Sequence, residues 1–272
     1  MPMPQDAVGH FIDFIVPRGG MPVINRDANT VNRVLTGQTK KVNAKLWTTG
    51  SAGWEPARPA APSWVPGRPT ALKTPGPWVN AARPGGAHPP AGSSQFGVHR
   101  QNWNFTFLNY CPGYVTVTPV DTGVLTGPLS GCYVFRYTEN GVPKVAHVGT
   151  ADDPGDERSI KAKDDWVQFI KLAKATSIMG GSAFDMFTPA EIARAVLGDP
   201  MDVPICCYVT AHEAWAVLFA KVSNASRPPP GGLMKVVAAK RMTFQRWEDL
   251  SKLRKFSGQA SGEKVKGAFR LS

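Results

Sequence analysis

Three observations in the sequence predict an α/β (α+β) domain with a central, mostly antiparallel sheet flanked by helices. Short runs rich in β-branched and aromatic residues are bounded by turn residues, one Asn-Gly pair sits between alternating segments, and two helical patterns lie between the runs of strands. At 272 residues and 42% hydrophobic content, the chain can bury one full core and a small second unit. A Pro-rich, poorly ordered N-terminal region is expected to precede it. Residues 50–92 hold ten of the 25 prolines, with Trp54, Trp64 and Trp78 isolated among them. Such a segment lacks ladder donors and core-forming side chains, so it reads as extended linker. Residues 1–100, including a possible short strand at 10–16, are therefore expected to form a basic delivery or partner-binding region, and 101–272 the folded catalytic domain with a basic C-terminal segment.

Within that domain, strands are predicted at 104–109, 113–119, 132–138, 144–149, 204–210 and 233–240. Trp166, Phe169, Ile170 and Ala173 recur at helical spacing, which predicts an apolar stripe opposite a face of Lys and Asp. Thr188-Pro189-Ala190-Glu191 is a capping box with proline at the first helical position, so a second helix should run to about Leu197.

The hairpin is the most informative part. With a turn centred on Asn140-Gly141, facing residue numbers sum to 281, so Val134 faces His147 and Cys132 faces Gly149. Side chains alternate along a strand, which puts Cys132, Val134, His147 and Gly149 on one face and Tyr133, Phe135, Tyr137, Ala146 and Val148 on the other. Diagonal neighbours such as Cys132 and His147 are roughly 7–8 Å apart at Cα. A thiol near an imidazole suits nucleophilic attack, because the imidazole takes the thiol proton and later returns it to a departing amine.

Leu129-Ser130-Gly131-Cys132, with His147 fifteen residues on and Gly149-Thr150 after it, resembles the catalytic core of the cytotoxic necrotizing factor deamidases. Thr126 resembles the threonine of two related groups, the chemoreceptor glutamine deamidases and the Burkholderia lethal factor, which carry a Thr-Cys-His set. The resemblance spans about residues 105–150. It implies Cys132 as nucleophile, His147 as general base and acid, Thr126 as an orienting hydroxyl, and Ser130, Gly131, Gly149 and Thr150 around the substrate. It implies no cofactor or metal. It also implies a toxin or effector acting in a target-cell cytosol on a protein glutamine, with a small GTPase as one possible partner. No charged-then-apolar leader opens the sequence, so release without a classical signal peptide is expected, and no apolar run reaches transmembrane length.

Two other readings use the same residues. Gly131-Cys132-Tyr133, Ala146-His147-Val148-Gly149 and Arg158 resemble the GIY-YIG nuclease pattern, with Glu191 as a loose candidate for its metal-binding glutamate. A binding module with merely packed Cys132 and His147 is the third. The net charge of +11 is uneven: eleven Lys/Arg face four Asp/Glu in 1–100, ten face thirteen in 101–234, and ten face three in 235–272. The basic ends suit an acidic partner or a secretion chaperone away from the catalytic segment.

Cys111, Cys132, Cys206 and Cys207 show no CxxC spacing, and no disulfide to Cys132 is expected. Asp152, Asp153 and Asp156 follow the histidine strand and read as a turn before the helix rather than as a partner for His147. His212-Glu213 reads as structural, and His10, His88 and His99 as bystanders.

Overall fold

The computed structural model describes residues 3–17, 19, 33–49, 96–151, 156–195, 204–221 and 234–247. Its strands are β1 (Phe11–Ile12), β2 (Val34–Leu35), β3 (Thr39–Thr49), β4 (Phe96–Asn109), β5 (Val115–Pro119), β6 (Val124–Gly127), β7 (Tyr133–Glu139), β8 (Val142–Val148), β9 (Thr176–Gly181), β10 (Ile205–Val209), β11 (Ala214–Lys221), β12 (Met234–Met242) and β13 (Gln245–Arg246). Two α-helices are described, α1 (Glu157–Leu172) and α2 (Pro189–Ala195).

The strands form two bodies. A closed barrel runs β1-β12-β11-β10-β6-β4-β3, and a six-stranded sheet runs β13-β9-β7-β8-β5-β2. Pairing is antiparallel except for β4 with β6 and β2 with β5. The expectation of mostly antiparallel strands holds at that level. The single central sheet does not: the fold is mostly β, and closure of seven strands removes two exposed edges that an open sheet would leave.

Residues before Asn102, expected to lie outside the folded unit, contribute to both bodies. β1 bridges β12 and β3 in the barrel, β2 adds to β5, and β3 runs beside β4 in a long ladder. The ladder buries Ala44 and Leu46 while Lys41, Asn43 and Lys45 stay exposed. That is a strand alternation in which the buried side is light and the solvent side lysine-rich. Residues 50–92, with their prolines, lie outside the described residues.

Three cores result. The barrel interior is filled by Ile12, Phe14, Leu46, Trp103, Phe105, Phe107, Leu125, Tyr208 and Phe219. A seam between barrel and sheet joins Val124, Cys207 and Met242 from the barrel to Val134 and Val145 of the sheet and Ile192 of α2. The sheet's other face packs Phe135, Tyr137, Ala146 and Val148 against Trp166 and Ile170 of α1. Adjacent residues thus serve different cores: Leu125 and Cys206 point into the barrel, Val124 and Cys207 into the seam.

The hairpin has the expected register, Val134 opposite His147 and Phe135 opposite Ala146. Asn140 and Gly141 adopt φ of 52° and 78°, the left-handed pair that a two-residue turn matching strand twist requires. The capping box of α2 is formed, with Thr188 N–H donating to Glu191 Oε2 at 2.8 Å and Glu191 N–H to Thr188 Oγ1 at 3.3 Å. Helix α1 begins at an Asp156 cap that accepts from Arg158 N–H at 2.7 Å, so Asp156 serves the helix and not His147. Asp152 and Asp153 lie outside the described residues. Its buried stripe is Ser159, Ala162, Lys163, Trp166 and Ile170, which differs from the expected one by placing a lysine on the packed face.

Candidate functional site

The site forms where β7 begins and β8 ends, at the margin of the seam. Thr126 on β6 points out of the barrel, because Leu125 beside it points in. His147 on β8 points toward the barrel with Val145 and Val134. The two meet: Thr126 Oγ1 lies 2.7 Å from His147 Nδ1, and the same hydroxyl donates to Leu108 O at 2.9 Å.

This chain fixes the imidazole tautomer. Leu108 O only accepts, and a hydroxyl has one proton to give, so Thr126 accepts from Nδ1–H and Nε2 carries the lone pair. His147 Nε2 is buried and has no hydrogen-bond partner. Tyr110 stacks on the ring with centroids 5.3 Å apart and planes 22° apart. Burial pushes the imidazole pKa down to about 3, so His147 is neutral throughout the physiological range.

Cys132 sits just ahead of β7 and belongs to the seam core with Leu129 and Val134. Its sulfur receives two contacts from one residue, Thr150 N–H at 3.4 Å and Thr150 Oγ1 at 3.4 Å. Burial raises the thiol pKa; the Thr150 hydroxyl, the backbone of Thr150 and Ser130, and the charge of Lys163 each pull it back without cancelling the rise. No hydrogen bond joins Cys132 to His147. They are linked through Tyr110, whose hydroxyl donates to Thr150 O while its ring covers the imidazole. Both groups are 1% exposed. A substrate therefore reaches them only when the surrounding side chains part.

The other expected substrate-binding residues divide. Ser130 is exposed and Gly131 has room around it, since an added Cβ would meet only Thr150 Oγ1, at 3.7 Å. Gly149 serves the fold: its N–H donates to Tyr114 O at 2.9 Å, and its C=O accepts from Gly113 N–H at 3.1 Å. A Cβ there would stand 2.5 Å from Cys111 O and 2.8 Å from Tyr114 O. Both backbone groups of Gly149 are committed, so it has none to offer an oxyanion.

Tyr110 and Lys163 are absent from the residues singled out by sequence. Ser159 Oγ accepts from Ala151 N–H at 2.8 Å, tying the first turn of α1 to the residue after Thr150. Lys163 follows one turn later on the same stripe, is 1% exposed, and its Nζ has no hydrogen-bond partner. The signal was available: 159, 163, 166 and 170 share one helical face.

The remaining candidates lie elsewhere. Cys111 is buried and its pKa rises to about 11 through burial alone. Burial also raises Cys206 and Cys207, and all four cysteines are free thiols. Arg158 pairs with Asp156 at 2.6 Å, and Glu191 pairs with Lys240 at 2.7 Å. The two side chains the nuclease pattern needs are thus engaged in separate ion pairs. Glu213 pairs with Arg241 at 2.8 Å and accepts from Trp215 Nε1 at 3.2 Å. With His212, Arg136, Met179 and Phe244 it lines a cavity of about 310 Å³ apart from Cys132.

No family model, curated protein or solved structure matches the chain. The reading of its chemistry rests on the residues themselves.

Proposed function

We propose that this protein is a cysteine hydrolase that deamidates a glutamine side chain of a target protein, with Cys132 as nucleophile, His147 as base and Thr126 as its positioning residue. The observation that carries the reading is the Leu108–Thr126–His147 chain, which leaves a neutral Nε2 lone pair on the thiol's side of the sheet. A packed, purely structural histidine gains nothing from a free Nε2, and leaving it buried without a partner costs about 1–3 kcal/mol. A base needs that lone pair.

The steps balance as follows. Cys132 Sγ attacks the carboxamide carbon, the C–N bond breaks, and ammonia leaves with the proton that His147 relays from the thiol. Water then adds to the thioester carbon, the C–S bond breaks, and glutamate and free thiol result. An amine in place of water gives transglutamination. Thr150 N–H, already on the sulfur at 3.4 Å, and the open backbone at Ser130-Gly131 are the nearest donors for the developing oxyanion. Entry requires Tyr110 to swing away, and its ring is only half-buried.

A secreted effector acting in a target-cell cytosol, on a small GTPase glutamine, is the setting this chemistry and the resemblance favour together. The excess of Lys and Arg in residues 1–100 and 235–272 suits a chaperone or acidic partner. Incubation with candidate targets followed by intact-mass analysis and an ammonia assay tests the reading. Wild type is expected to convert a glutamine to glutamate, and Cys132→Ser to abolish both signals. Nucleic-acid cleavage retained by Cys132→Ser would replace the reading with the nuclease.

A further inference from the structure

We propose that Lys163 supplies positive charge that favours ionisation of Cys132 as it attacks, so that the reactive unit is a buried Cys132–Lys163 pair with His147 beside it as a neutral base. This rests on the reading of Cys132 as nucleophile and adds a residue that neither the motif nor the resemblance contains.

The case begins with an unpaid charge. Lys163 is 1% exposed, and its Nζ, with three donors when protonated, has no hydrogen-bond partner. An isolated buried ammonium is among the costliest groups a fold can carry. Placing one on the packed stripe of α1, where Ala162 and Trp166 are its neighbours, is not explained by packing. Lysine is rarely buried without a charge partner.

The fold brings that partner close through a short relay. Ser159, one turn before Lys163, holds Ala151 N–H; Thr150, next in the chain, holds the Cys132 sulfur through both N–H and Oγ1. The start of α1 is thereby fastened to the loop that holds the thiol. Positive charge on Lys163 eases ionisation of the thiol, and a thiolate at Cys132 raises the amine's pKa against the lowering by burial.

The neighbours leave the task to this lysine. From β8, His147 is neutral above about pH 3 and supplies no cation. Just after β4, Tyr110 contributes a hydroxyl bound to Thr150 O. From the seam, Leu129 and Val134 are apolar. On α1 itself, Arg158 is paired with Asp156, Lys161 with Glu157, and Asp165 with Arg33 at 3.9 Å. Burial drives thiol and amine toward their neutral forms, and their mutual attraction drives them toward the ion pair. One proton is shared between them. When Sγ attacks a carboxamide carbon, that proton resides on Nζ; as the C–N bond breaks it passes by way of His147 Nε2 to the departing nitrogen, which leaves as ammonia, and the water that hydrolyses the thioester gives its hydroxyl to the acyl carbon and its proton back to the Cys132–Lys163 pair.

The test follows Cys132 alkylation by iodoacetamide against pH in the full chain, mapped by peptide mass, in wild type, Lys163→Met and Lys163→Arg. Wild type and Lys163→Arg are expected to share one midpoint, above that of an exposed thiol because the sulfur is buried. Lys163→Met is expected to raise the midpoint by at least about one unit and slow neutral-pH labelling about tenfold. A second measurement avoids altering the helix: the Lys163 side-chain ¹³Cε signal, titrated in wild type and Cys132→Ser, should show a lower amine midpoint once the sulfur is gone. Unchanged Cys132 profiles in Lys163→Met, or an unchanged amine midpoint in Cys132→Ser, overturn the pairing while leaving Cys132 as nucleophile. Wild-type Cys132 that labels no faster than Cys206 overturns both.

Discussion

The barrel interior and the margin of the seam are equally buried yet carry opposite chemistry. Inside the barrel, Trp103 packs on Phe105 and Tyr208 at 5.3 and 5.4 Å, and Phe14 on Phe105 at 5.3 Å. The clustered side chains there are hydrocarbon, aromatic ring, thiol or thioether, with the Trp103 indole N–H and the Tyr208 hydroxyl as buried polar atoms and no titrating base or amine among them. At the seam margin, Thr126, His147, Thr150, Ser159 and Lys163 are five of the nine buried polar or charged residues described, gathered around one thiol. A fold minimising free energy alone would not collect buried hydroxyls, an imidazole and a lysine amine in one corner. The barrel holds the chain together; the margin bears a cost that stability does not require.

Breaking the barrel should give the largest effect. Trp103→Ala leaves a cavity among close-packed rings and is expected to cost about 3–5 kcal/mol in denaturant unfolding, with no change in the pH midpoint of Cys132 labelling. A shifted midpoint would mean that the two regions are not independent.

Acid should separate them next. His147 has its pKa lowered from 6.5 to about 3, so between those values the unfolded chain binds a proton that the folded chain does not. Stability therefore falls as pH drops through that window, by up to about 1.4 kcal/mol per pH unit. His147→Gln is expected to flatten that part of the stability profile, measured by unfolding at a series of pH values. A profile equally steep in the variant would assign the acid sensitivity to another group.

Thr126→Val removes one hydroxyl and leaves His147 Nδ1 without its partner. It is expected to cost about 1–3 kcal/mol and to slow Cys132-dependent turnover more than Thr126→Ser, which keeps the donor. Equal effects of the two would make Thr126 a packing residue. The smallest change is Tyr110→Phe, which loses the bond to Thr150 O. It is expected to cost no more than about 1.5 kcal/mol and to speed Cys132 labelling by loosening the cover over the site.

What was legible in the sequence follows the same division. The hairpin register could be read because Asn140-Gly141 admits one turn and the alternation on either side admits one pairing. The α2 cap was legible for the same reason, since its signal is local. The barrel was not. β11, Ala-Trp-Ala-Val-Leu-Phe-Ala-Lys, is a continuous apolar run that periodicity cannot assign to strand or helix. β9 ends in Gly180-Gly181 and reads as a loop, although Gly180 is the position where the Phe135 ring packs on bare backbone. Thr126 and His147 lie on different sheets, so their meeting was suggested by resemblance and not by any spacing rule. Lys163 escaped notice because a lysine is ordinarily assigned to the solvent side of its helix.

The contrast between the two regions reduces to one number, the ratio of Cys132 to Cys206 alkylation rates in the native protein at neutral pH. Opening the seam margin moves a few side chains, whereas reaching Cys206 means opening the barrel, so the account predicts Cys132 labelled at least about tenfold faster. Equal rates, with both thiols labelling only as the whole chain unfolds, would contradict it.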